Sequence, residues 1–97
     1  MLFTEEELEA LNEAVAIYEK TPRRVLTDEL HASLAGSCKS KLNSFNASTY
    51  FTLREYSFLA LAVKFDYDAI VRSENYHDPI LASLFNRLTK LATPIGG

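Results

Sequence analysis

Residues 3–19 read FTEEELEALNEAVAIYE, and residues 51–67 read FTLREYSFLALAVKFDY. In one ungapped frame they agree at Phe3/Phe51, Thr4/Thr52, Glu7/Glu55, Leu11/Leu59, Ala14/Ala62 and Val15/Val63. Random pairing of two segments of this length gives roughly one identity, and helix-rich segments share Leu, Ala and Glu more often than that. The shared residues also share jobs. A threonine followed three residues later by glutamate is a capping box, and the phenylalanine just before it is one half of a hydrophobic staple. The leucine, alanine and valine then fall on one helical face. A weaker echo follows, in which Ala32-Ser33-Leu34 recurs as Ala82-Ser83-Leu84.

Each half reads as a pair of helices. The first helix starts at Thr4, and Leu8, Leu11, Val15 and Tyr18 form its apolar stripe. It ends at Thr21-Pro22, because the residue before proline avoids the α region. The second helix begins either with Pro22 at its first position or at Thr27, with Asp28 and Glu29 in the first turn. The later start is favoured. Its apolar line is Leu26, Leu30, Leu34, Cys38 and Leu42. A column of small residues, Ala32, Gly36, Ser40 and Ser44, predicts the close approach of another backbone. Asn43 to Phe51 is a polar connection.

The third helix runs from Thr52 to about Ser73, with Phe51 and Tyr56 as its staple. Its solvated stripe pairs Lys64 with Asp68 and Asp68 with Arg72 at four-residue spacing. One apolar face carries Tyr56, Leu59, Ala60, Val63, Tyr67 and Ile70, and another carries Phe58, Ala62, Phe65 and Ala69. So broad an apolar surface calls for neighbours on most sides. Asp78-Pro79 opens the fourth helix, whose stripe is Ile80, Leu81, Leu84, Phe85, Leu88 and Leu91. No segment alternates with period two, so no sheet is expected.

The expected architecture is all-α. It is a four-helix bundle of two αα-hairpins, about residues 3–45 and 51–92, with approximate internal two-fold symmetry in one domain spanning 1–97. A chain of 97 residues has room for one core, and its 47% apolar content is enough to fill one. The single cysteine excludes an internal disulfide. No leader or bilayer-spanning run is read, so a cytoplasmic location away from membranes is expected.

Charge is unevenly placed. Residues 1–20 carry six glutamates and Lys20, a balance of −5, and the remainder carries +2. An acidic end disfavours binding to a phosphate backbone, which needs lysine and arginine. Nucleic-acid-linked regulation is the alternative reading. It would act through the fourth helix with Arg72, Arg87 and Lys90, or through mimicry of a phosphate backbone by the acidic first helix.

No catalytic, cofactor or metal site is assigned. His31 and Cys38 share a face of the second helix, the parts of a nucleophile–base pair, but Cys38 also continues an apolar line. Glu74, His77 and Asp78 are chemically suited to a metal but define no coordination sphere. Asn46-Ala47-Ser48 fits a glycosylation acceptor that has no secretion signal to serve it. Arg23-Arg24 reads as a solvated turn. The feature that exceeds a plain core is the second apolar face of the third helix, with aromatic side chains around it. The expected function is therefore non-catalytic protein–protein contact, as a homodimer or with a protein partner. Tyr50, Phe51, Phe58, Leu61, Phe65, Tyr67 and Tyr76 are the candidate interface residues.

Overall fold

The structure, a computed structural model, describes residues 3–21 and 27–92. It has four helices: α1 (Glu5–Glu19), α2 (Asp28–Asn43), α3 (Leu53–Glu74) and α4 (Pro79–Ala92). There is no strand among the described residues. The start signals read from the sequence are all present. Thr4 and Thr52 each cap their helix and complete a capping box with Glu7 and Glu55. Thr27 caps α2 by accepting from the Leu30 amide at 3.3 Å, in agreement with the later start. The alternative start at Pro22, together with Arg23, Arg24 and Leu26, lies outside the described residues. Asp78 Oδ1 accepts from the amides of Ile80 and Leu81 at 2.9 and 3.3 Å, opening α4 at Pro79. Helix α3 stops at Asn75, whose N–H still bonds to the Val71 carbonyl while its left-handed φ of 50° turns the chain out of the helix.

Helix α3 touches all three other helices, α4 most extensively, while α2 and α4 are not neighbours. The helices pack as a four-helix bundle, with α1 against α2, α4 against α3, and α1 and α3 against each other. The matched residues of the two segments take matched places. Leu11 and Leu59, Ala14 and Ala62, and Val15 and Val63 are all fully buried. Phe3 and Phe51 meet edge to face with centroids 6.4 Å apart, and Phe45 lies against both. The second staple partner, Tyr56, sits 5.6 Å from Phe51.

Each capping glutamate also reaches the opposite hairpin. Glu7 pairs with Arg87 of α4, and Glu55 pairs with Lys41 of α2 at 2.6 Å. The same cations lie over the staple rings, Arg87 at 5.3 Å from Phe3 and Lys41 at 5.6 Å from Phe51.

Three expectations for α2 and α3 are corrected. The core line of α2 is His31, Ala35, Cys38 and Leu42, with Leu30 and Leu34 only half-buried beside it. Its small-residue column faces solvent: Ala32, Gly36, Ser40 and Ser44 are all exposed, and a Cβ on Gly36 would meet nothing. On α3, Lys64 pairs with Asp68 at 3.3 Å, but Arg72 donates to the Asp68 backbone carbonyl, not to its carboxylate.

Glycine in an open, exposed helix interior only costs stability. Gly36→Ala is therefore expected to stabilise the fold by about 1 kcal/mol, raising the melting midpoint by roughly 4–8 °C. Thermal unfolding followed by circular dichroism checks this, and a lowered midpoint would mean that Gly36 serves a close approach after all.

Candidate functional site: an open apolar groove on α3

Because α2 and α4 stand apart, one strip of α3 is left without a covering helix among the described residues. A groove of about 400 Å³ runs along it, lined by Leu30 and Leu34 of α2, by Leu53, Arg54, Ser57, Phe58 and Leu61 of α3, and by Ala92 of α4. It continues past Ser57 and Leu61 to Ala60, Lys64, Phe85 and Thr89. Leu53 keeps 51% of its surface exposed. Phe58 is fully buried and lies beneath the groove. Most of the lining is apolar, and its two charged side chains, Arg54 and Lys64, are both basic.

The register that aligns the two capping boxes offers an internal comparison. Leu53, Arg54, Ser57 and Leu61 of α3 stand where α1 carries Glu5, Glu6, Glu9 and Glu13. Those four glutamates are all exposed. The buried positions are thus kept between the segments, while the outward positions change from carboxylates to two leucines, an arginine and a serine.

The seven candidate interface residues do not gather on one face. Phe51 and Phe58 are core residues. Phe65 is half-buried with its ring 5.6 Å from Tyr18 of α1. Tyr67 faces the α3–α4 connection, where its hydroxyl meets His77 Nδ1 at 2.9 Å. Tyr50 and Tyr76 are exposed, at 75% and 52%, but in different connections. Leu61 alone of the seven is a half-buried residue of the groove. The groove residues Leu30, Leu34 and Phe85 read in the sequence as core stripe, and nothing there marks Leu53 or Ala92. The signal for Leu30 and Leu34 was the parallel line His31-Ala35-Cys38-Leu42, which competes with the leucine line for the core and wins.

The titratable groups weighed in the sequence have structural neighbours. His31 is buried between Tyr18 and Phe58, with ring centroids at 5.1 and 5.4 Å. Its Nε2 lies 3.2 Å from the Tyr18 carbonyl, which only accepts, so Nε2 carries the proton; Nδ1 has no partner among the described residues. Cys38 points instead toward the Glu55 carbonyl, 3.9 Å away. Burial and then the Glu55 carboxylate push its thiol up to about 12, against the pull of Lys41, so it stays protonated. Asp78 is spent as a cap and His77 on Tyr67. No group of three His, Cys, Asp or Glu side chains is arranged to hold a metal among the described residues. Of the basic residues considered for nucleic acid, Arg87 is turned onto Glu7 and Phe3. No described helix is long and apolar enough to cross a membrane.

Two carboxylates on α3 act in opposite directions. Burial alone would raise the Glu55 carboxyl. Bonds from the Lys41 ammonium, the Ser37 hydroxyl and the Thr52 amide outweigh that and bring it to about 2. Asp66 has no such donors among the described residues. It stands where α1 carries the buried Tyr18, and burial, then the charges of Glu13 and Asp78, raise its carboxyl above the ordinary range.

The signs of the two pH dependences follow. The Glu55 contribution is complete above its ordinary value of 4.5 and is lost as pH falls through about 2. Glu55→Gln should cost about 2–3 kcal/mol near neutral pH, with the gap to the native protein closing in acid. Asp66 opposes folding once ionised, a penalty that grows as pH rises through its raised value. Asp66→Asn should be more stable than the native protein near neutral pH and no different in strong acid. Urea unfolding across the pH range checks both. A constant gap for Glu55→Gln, or a loss of stability at neutral pH for Asp66→Asn, would contradict these assignments.

No protein-family model, curated protein or solved structure matches this chain.

Proposed function

We propose that the protein acts by contact with other polypeptides, without catalysis, and that the open strip of α3 between α2 and α4 is its contact surface. The observation that carries this is the comparison with α1. There the corresponding outward positions are Glu5, Glu6, Glu9 and Glu13, all solvated, so this kind of hairpin does not need apolar side chains at those places in order to fold. Leu53 is exposed and Leu61 half-buried, and no other described helix covers the apolar surface they present. A contiguous apolar strip edged by polar residues is the usual mark of an interaction site. Beneath it, Phe58 is fully buried, which makes the strip a firm seat.

The reading takes the two hairpins as copies of one unit about an approximate two-fold axis, one copy keeping a charged outer face and the other acquiring a binding one. Pairing of two chains in a cytoplasmic homodimer is one form of such contact.

The double variant Leu53→Glu, Leu61→Glu restores on α3 what α1 carries. It should keep the helical content and lose no more than about 1 kcal/mol of stability. If copies associate through the strip, equilibrium sedimentation at high micromolar concentration will give a native mass above one chain and a variant mass of one chain. Association that persists unchanged in the variant would remove the strip from the contact.

A further inference from the structure

We propose that the α3 groove receives an amphipathic helix of about three turns, supplied by a different protein, with carboxylates flanking its apolar stripe. This rests on the reading of the groove as the contact surface and names what fills it.

Length comes first. From Leu53 to Lys64 the groove follows α3 for about 16 Å at 1.5 Å per residue, which matches about three turns of a helix laid alongside. The lining is shaped for such a guest. Leu30 and Leu34 form one wall, Phe85 and Ala92 the other, and Leu61 the floor. Helices recognised in this way seat apolar side chains at i, i+3, i+4 and i+7 in the groove.

Charge selects the guest's flanks. The chain carries a net charge of −3, yet the two charged residues lining the groove are Arg54 and Lys64. Arg54 has no acidic partner among the described residues, and Lys64 shares only the half-exposed Asp68. Acidic flanks on the guest would meet both cations, and salt would weaken the attraction.

A second copy is the poorer fit in either orientation. Groove against groove sets Arg54 and Lys64 of one chain near those of the other. The acidic outer face of α1 has the complementary charge, but it offers only the 40% exposed Ile17 as a large apolar side chain.

The test uses the full chain and two synthetic helical peptides of about three turns. Both carry leucines at i, i+3, i+4 and i+7; one has glutamates on its flanks, the other lysines. Affinity is read by fluorescence anisotropy and the site by amide chemical shifts. The glutamate peptide should bind with its largest shifts around Leu34, Ser57 and Leu61. It should bind at least about tenfold more tightly than the lysine peptide. Arg54→Glu with Lys64→Glu should invert that preference, and Leu61→Glu should abolish binding of both. Equal affinity of the two peptides at this site would overturn the acidic guest while leaving the groove as the contact surface. Binding of neither, in a chain whose dimer Leu61→Glu dissociates, would overturn it in favour of a second copy. Binding of neither by a strictly monomeric chain would overturn the guest and the groove's role together.

Discussion

The fold depends on a pair of glutamates that each do two things at once. Glu7 and Glu55 close the first turns of α1 and α3 through the backbone amides of Thr4 and Thr52, at 2.9 and 2.8 Å. Each also holds a cation from the second helix of the other hairpin, Arg87 for Glu7 and Lys41 for Glu55. Local helix initiation and the docking of one hairpin on the other are therefore coupled through the same carboxylates. The staple rings Phe3 and Phe51 complete the junction by touching each other and lying under those cations. An ion pair of this kind contributes through geometry and hydrogen bonds more than through bare Coulomb attraction. Glu55, nearly sealed from water, has three separate donors.

With the core set by the shared positions, the outer faces are free to differ, and they do. The α1 face is a run of solvated carboxylates, whereas the α3 face is leucine and arginine edged by leucines from α2. The gap between α2 and α4 turns that difference in side chains into a difference in shape. Without the gap, Leu53 and Leu61 would be ordinary core residues of a closed bundle.

Much of this was legible in the residues. The four helices, their caps, both capping boxes and the Phe51–Tyr56 staple follow from local rules, because each involves groups a few residues apart. The central place of α3 followed from its broad apolar surface. What was not legible depends on rotation of one helix about its axis. On α2 the lines Leu30-Leu34 and His31-Ala35 differ by one residue, about 100° of turn, and side-chain hydrophobicity favours the wrong one. The actual core contains a histidine because the Tyr18 carbonyl at the end of α1 supplies its partner, a long-range circumstance. Gly36 misled for the same reason, since its column follows whichever face is assigned to the core. The burial of Asp66 is legible only through its alignment with Tyr18, because nothing in the local sequence around it marks a core position. The candidate interface residues follow from the second apolar face of α3 and the aromatic side chains around it, and the structure distributes them among the core, the groove, the α1 side and the connections.

Cys38 gives the molecule a built-in timekeeper. Its sulfur is wholly enclosed at the seam where α2 meets the first turn of α3, and it is the chain's sole thiol. An alkylating reagent can reach it only after that seam parts, so the labelling rate records how often the hairpins come unfastened. The protein thus reports its own breathing from a single atom, with no dye or tag added to disturb it.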